Sequence, residues 1–195
     1  PEVLDRLGAM PNPKTFLVYQ NYPQMQRLAR SKRWVLAANV PTLRIQVGSR
    51  VFFKHMVKDL GLPEIPGGIF PIREIATRSY EYWREWLGEA FVVQLTDISQ
   101  GGGRGTFFIR AAEDYVRLVE RLVSEGLRWR GISLKAFAIH RFLPSIPASV
   151  ALCITSAGVV CTGIQRQLVD LPYCRDPAED GVFCGHAWGE NMWPL

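Results

Sequence analysis

Apolar residues settle into a helical rhythm at Ser49. Phe52, Phe53, Met56, Val57 and Leu60 recur at i, i+1, i+4, i+5 and i+8, one face of a helix predicted over 49–60. Ser49 can cap its start and Gly61 can end it. The clearest helical stripe is Tyr115, Leu118, Val119, Leu122 and Val123, which predicts a helix over 111–125 stopped by Gly126. A shorter aromatic helix is predicted over 79–87, carrying Tyr80, Tyr82, Trp83 and Trp86. Strand-like runs occupy 91–96 and 106–109, joined by a glycine-rich loop. Further strands are predicted over 134–142, 149–155, 159–165 and 167–171, with Ser156-Ala157-Gly158 as a hairpin turn. Trp34 to Ala38 reads as a short strand. Leu62 to Pro71, with three prolines and two glycines, reads as a loop, and residues 1–33 as irregular. The order is helix, strand, loop, strand, helix and then an antiparallel meander. That is α+β, not the regular alternation of a doubly wound sheet.

Composition narrows the class without changing that picture. A hydrophobic share of 48% in 195 residues fits one large or two small globular domains. No apolar run reaches the ~18 residues needed to span a bilayer, so no membrane partner is expected. The chain begins at Pro1 with no secretory pattern after it and is expected to be a piece of a longer, cytoplasmic protein. The net charge of +5 is scattered, with Arg27, Arg30, Lys32 and Arg33 its densest cluster. That cluster reads as a solvated helix end, and no nucleic-acid partner is expected; a mild positive balance also suits a polyanionic ligand. A nucleic-acid-binding domain using the basic and aromatic residues is the reading from another class, and its mark would be salt-dependent binding. Cys153 and Cys161 lie in apolar runs and are expected to be buried thiols. Cys174 and Cys184 flank a polar loop and could approach each other. No zinc-type spacing links cysteines and histidines.

The loop between the two strands carries the candidate chemistry. It holds Gly101, Gly102, Gly103 and Gly105, interrupted by Arg104 and followed by Thr106. Glycine tolerates positive φ and has no Cβ, so backbone N–H groups there can lie directly against an anion. A P-loop needs Lys-Ser or Lys-Thr opening a helix, and a dinucleotide fingerprint needs its glycines at a helix start; neither is present. A protein-kinase loop would require Val-Ala-Ile-Lys and His-Arg-Asp landmarks, also absent. A plain flexible hairpin remains open, although consecutive glycines make such a hairpin costly to order.

The segment Val47 to Gly67, VGSRVFFKHMVKDLGLPEIPG, followed by the strand Phe91–Leu95 and the loop Gly101–Thr106, resembles the ATP-grasp family. The match runs over roughly residues 34–195 and is nearest in pattern to biotin carboxylase and carbamoyl phosphate synthetase. Arg50 stands where that family has a basic residue at a helix start, and Gly61-Leu62-Pro63 matches its closing turn. The resemblance implies an ATP-grasp-like α+β fold. It places the tail of an upstream segment at 1–33, a small lobe with a phosphate lid at 34–137, and a hinge and the start of a second antiparallel lobe at 138–195. It further implies that Arg50 and Gly101, Gly102, Gly103, Arg104, Gly105 and Thr106 meet the ATP phosphates. In the same reading the hinge His140, Arg141, Phe142 and Leu143 meets adenine through its backbone, and Gln165 lies near the phosphates or acyl acceptor.

Two positions depart from the family pattern. Gln94 aligns with a strand lysine and brings no charge, and His140 stands where the hinge has Glu. The family's Glu-x-Asn magnesium motif is not matched by Glu190-Asn191 and is expected after Leu195. The implied function is the ATP-binding part of a ligase that activates a carboxylate as an acyl phosphate for attack by an amine-type nucleophile, with Mg²⁺ held by downstream residues. By itself this chain would not be catalytically complete. The alternative is a non-catalytic nucleotide-binding or regulatory module, which the two departures favour.

Overall fold

The computed structural model describes residues 6, 9–11, 14–18, 21–98, 104–174 and 180–189. The chain divides into two compact units, Pro1–Pro63 and Glu64–Leu195.

In the first unit, β1 (Thr15–Leu17) pairs in parallel with β2 (Val35–Ala37). Helix α1 (Pro23–Lys32) lies between them in the chain, followed by α2 (Pro41–Val47) and α3 (Arg50–Asp59). Helix α1 corrects the expectation of irregular structure before residue 34. Its sequence PQMQRLARSK has few apolar positions to betray a stripe, yet Gln, Met, Arg, Leu and Lys are good helix formers and Pro23 occupies the first turn. The basic cluster does form an exposed helix end, with Arg30 and Lys32 in the last turn where the helix dipole favours cations. Helix α3 forms where its stripe predicted, and the Ser49 hydroxyl accepts the Phe52 N–H at 3.4 Å. Its apolar face contains no buried residue, and Phe53 is 53% exposed.

The second unit is built on a four-stranded antiparallel sheet. Its strands are β3 (Gly67–Pro71), β4 (Phe91–Leu95), β5 (Thr106–Ile109) and β8 (Ala136–Arg141), in the order β3-β8-β4-β5. Two interleaved crossovers build it. The β3 to β4 connection skips over β8 and carries α4 (Glu74–Thr77) and α5 (Tyr80–Leu87). The β5 to β8 connection skips over β4 and carries α6 (Ala112–Ser124) and a small hairpin of β6 (Arg128–Trp129) and β7 (Ile132–Ser133). Strand β3 corrects the loop expected over 62–71. Its two glycines and Pro71 sit on an edge strand that needs only one ladder, to β8. The strand expected to open a meander, β8, instead lies inside this sheet between β3 and β4.

Helices and sheet share one core. Phe91, Val93 and Leu95 of β4, Phe107 and Ile109 of β5, and Phe137 and Ile139 of β8 pack against Ile75, Trp83, Leu87, Tyr115, Leu118 and Leu122. Tyr115 ties the helices together. Its hydroxyl accepts the Trp83 Nε1–H at 2.8 Å and donates toward Ile75 O at 2.8 Å, with Arg78 O at 3.2 Å. Ser79 caps α5 by accepting the Tyr82 N–H, and Asp114 accepts the Arg110 and Ala111 N–H groups at the start of α6.

Beyond β8 the strands are short. β9 (Ala148–Ser149), β12 (Gln165–Val169) and β13 (Phe183–Ala187) form a three-stranded sheet in the order β13-β12-β9. β10 (Leu152–Thr155) and β11 (Gly158–Cys161) form a separate hairpin through the predicted turn. The run 149–155, read as one strand, is thus cut between Ala148–Ser149 and Leu152–Thr155, and 159–165 is divided between β11 and the first residue of β12. Cys153 and Cys161 are exposed, not buried, because this two-stranded ribbon has no packed face among the described residues.

Candidate functional site

Side chains alternate across a strand, so the four-stranded sheet presents two chemically different faces. One is the apolar core face. The other carries Val92 and Gln94 of β4, Thr106 and Phe108 of β5, Ala138 and His140 of β8, and Ile69 of β3. Register lines these up in two rows. Ile69, Ala138, Gln94 and Thr106 form one, and Gly67, His140, Val92 and Phe108 the other. Three of the residues singled out in the sequence, Gln94, Thr106 and His140, therefore share one face of one sheet.

The Gln94 Nε2–H donates to the Thr106 hydroxyl at 3.4 Å, a long bond that leaves the amide oriented along the row. His140 packs closely on Gly67. A Cβ added at Gly67 would lie 2.2 Å from Ile139 O and 2.6 Å from the His140 ring, and φ there is +153°. Glycine at 67 is what lets β3 approach the His140 row.

The stem of the glycine-rich connection is tightly held. Leu95 N–H donates to Gly105 O at 2.8 Å, and the Thr96 hydroxyl donates to Ala136 O at 2.9 Å. The Asp97 carboxylate accepts the Lys135 N–H at 2.7 Å and the Ala136 N–H at 3.4 Å. Gly105 is buried with φ +70°, and a Cβ there would meet Ile98 at 3.1 Å. Gly105 is thus fixed by both conformation and space, while Arg104 is exposed in the turn. Gly101, Gly102 and Gly103 lie outside the described residues.

The outer edge of β5 meets Asp180 from a connection between β12 and β13. Its carboxylate accepts the Phe108 N–H at 3.0 Å, and its own N–H donates to Thr106 O at 3.1 Å. Asp170, just after β12, accepts the Gly181 and Val182 N–H groups at 3.0 and 2.8 Å and so aims this connection. Asp97 and Asp180 were missed in the sequence. Asp97 had a local cue, an acidic residue directly after a strand. Asp180 had none, since it acts 72 residues from Phe108.

The remaining expected residues fall elsewhere. Arg141 N–H donates to Pro66 O at 2.9 Å, and Phe142 N–H to Ala90 O at 3.1 Å. The Arg141 Nε–H donates to Leu87 O at 2.9 Å, closing the end of α5. Phe142 packs on Phe108 with ring centroids 5.6 Å apart, and Leu143 is exposed. Gln165 lies on β12 opposite Ser149, in the three-stranded sheet. Arg50 begins α3 in the first unit, and partial burial pulls its guanidinium below the ordinary arginine value.

No protein-family profile and no curated protein matches this chain. Solved structures do. D-alanyl-alanine synthetase A from Vibrio cholerae superposes with a TM-score of 0.56 at 10% identity, over 92% of this chain and 54% of that one. Phosphoribosylamine–glycine ligase from Thermotoga maritima gives 0.55 at 16% identity, over 84% and 38%. The biotin carboxylase domain of the Hydrogenobacter thermophilus 2-oxoglutarate carboxylase, solved with MgADP, ADP and bicarbonate, gives 0.54 at 16% identity, over 85% and 36%. All three are ATP-grasp ligases. The fold is ATP-grasp. The chain spans about half or less of the length of these structures. Within that ATP-grasp fold, the polar rows and the glycine-bearing stem belong to the second unit. Among the described residues no group of three or more His, Cys, Asp or Glu side chains lies close enough together to hold a metal ion.

Proposed function

We propose that this chain is the nucleotide-binding part of an ATP-grasp carboxylate ligase. The observation that carries the reading is the sheet face on which Gln94, Thr106 and His140 align beside the rigid stem of the glycine-rich connection. In this reading the backbone N–H groups of the Gly101–Thr106 segment meet the phosphates, and the fixed stem at Leu95, Asp97 and Gly105 sets where they can reach. Arg50, in the first unit, carries a guanidinium chemically suited to charge-assisted phosphate contact. Residues 140–143 border the adenine, with Leu143 the first of them past the Pro66 and Ala90 contacts. The chemistry of the whole ligase would be attack of a carboxylate oxygen on the γ-phosphorus with ADP leaving, then attack of an amine on the acyl phosphate with phosphate leaving.

A specific observation favours a second reading, a nucleotide-binding module without catalysis. The family's strand cation is replaced by Gln94, a neutral amide whose Nε2–H donates to the Thr106 hydroxyl. Gln94 offers a hydrogen bond to phosphate but no electrostatic stabilisation of a transferring phosphoryl group.

Calorimetric titration of the chain with ATP and ADP tests both readings. Saturable binding of ATP is expected, weakened about five- to tenfold by Gln94→Ala through loss of one hydrogen bond. Absence of ATP binding at millimolar nucleotide would overturn the proposal. Gln94→Lys separates the readings: tighter ATP binding with no gain of carboxylate-dependent ATP turnover in the complete protein supports the non-catalytic module.

A further inference from the structure

β5 is an edge strand, and among the described residues no strand pairs with its outer side. Its outward backbone groups are nonetheless taken one after another. The Thr106 carbonyl accepts the Asp180 N–H at 3.1 Å, the Phe108 N–H donates to Asp180 Oδ2 at 3.0 Å, and the Arg110 N–H donates to Asp114 Oδ2 at 2.9 Å. Asp180 thus fills the place of one ladder residue, using its backbone for one bond and its carboxylate for the other. It is held there from β12. Asp170 accepts the Gly181 and Val182 N–H groups, and its own N–H donates to Val182 O at 2.9 Å. Gly181 lets the chain come this near: φ is +69°, and a Cβ there would lie 3.2 Å from the Phe108 ring. The Arg110 guanidinium stands 3.7 Å from Asp180 Oδ1 but its side chain is 59% exposed, so the two hydrogen bonds and not the ion pair make the tie.

What the tie fixes is Thr106. Its inner side is set by β4, through register with Gln94, the long Gln94 bond to its hydroxyl and the neighbouring Leu95–Gly105 bond. Its outer side is set by Asp180. Resting on the nucleotide reading above, we propose that Asp180 is a positioning residue for the phosphate end of the site. It acts through the β5 backbone. With both edges of β5 held, Thr106 and the Gly105 stem are in place before the nucleotide arrives, and less freedom is lost on binding. With the outer edge released, that ordering falls to the nucleotide. Linkage makes the effect reciprocal: the factor by which the tie strengthens ATP binding is the factor by which bound ATP suppresses opening of the tie.

Titration calorimetry with ATP and with adenosine, together with amide exchange at Phe108, tests this on the native chain, Asp180→Ala, Asp180→Asn and Arg110→Ala. Asp180→Ala keeps the backbone bond and loses the carboxylate. ATP binding is expected to weaken about three- to tenfold, the worth of one hydrogen bond, while adenosine, which has no phosphates, binds as before. Asp180→Asn restores the affinity because its amide oxygen still accepts the Phe108 N–H, and Arg110→Ala stays within about twofold of the native chain. Saturating ATP should slow Phe108 exchange in the native chain by the same factor that Asp180→Ala loses in affinity. Unchanged ATP affinity in a folded Asp180→Ala, an equal loss for adenosine, or Phe108 exchange that bound ATP does not slow would overturn this inference and leave the nucleotide reading standing. If Asp180→Ala does not fold, Phe108 exchange in the native chain decides. A native chain that binds no ATP defeats the nucleotide reading and this inference together.

Discussion

The β4–β5 and β10–β11 hairpins both run antiparallel and both are rich in β-branched residues, and they differ in what flanks them. β4 has β8 on its other edge and helices on one face, so Phe91, Val93 and Leu95 are fully buried while Val92 and Gln94 are partly open. β10 and β11 pair only with each other among the described residues, and Leu152, Ile154, Val159 and Val160 are 62–81% exposed. Apolar pattern specifies that a strand forms; burial also needs a partner layer, which two strands alone do not supply.

The strongest way to break that contrast is Phe137→Ala. Phe137 is fully buried in β8, with ring centroids 5.9 Å from both Trp83 and Phe70. Truncation removes apolar contact and leaves a cavity, and a loss of about 3–5 kcal/mol is expected from the urea midpoint. A loss below about 1 kcal/mol would mean that the sheet core can collapse around the gap, and the two hairpins would differ less than their burial suggests.

Next in size is a pH effect confined to the buried side of the comparison. Burial is the main cause that raises the Tyr115 hydroxyl from 10.0 to about 12, partly opposed by the Trp83 hydrogen bond. The folded state then holds its proton more tightly than the unfolded chain, so the associated stability is intact below pH 10. It falls by about 2–3 kcal/mol as pH rises from 10 to 12. Denaturant titrations across that window should show the loss, and Tyr115→Phe should flatten the Tyr115 contribution while being less stable at pH 7. An unchanged alkaline slope in Tyr115→Phe would assign the effect to another group.

These contrasts also explain what could be read from the chain. The Ser49 cap, the aromatic run at 79–87 and the 111–125 stripe marked helices that form, because a cap and an apolar stripe of 3.6-residue period are local signals. The β4 and β5 strands and the α+β class were legible for the same reason, and the resemblance carried the fold family. Helix α1 was hidden because propensity without an apolar stripe leaves little pattern. Strand β3 was hidden because glycine and proline weigh against strands except at an edge. In the candidate site, Gln94, Thr106 and His140 were visible as residues, but their shared face depends on β8 inserting between β3 and β4. Neither this long-range pairing nor the Asp180 contact leaves a local trace.

The smallest expected effect lies on the exposed hairpin and sharpens the comparison from its other end. Ile154 is 81% exposed and faces Val159 across the ribbon. In Ile154→Ser the side chain gives up little burial, so only the cross-strand pair and β-propensity are at stake, about 0.5 kcal/mol together. The same urea measurement used for Phe137→Ala makes the two directly comparable. A ratio near that of their burial supports a packed sheet beside an unpacked ribbon. A loss above about 2 kcal/mol for Ile154→Ser would instead require a covering layer over β10–β11 in solution, since no cross-strand pair alone is worth that much.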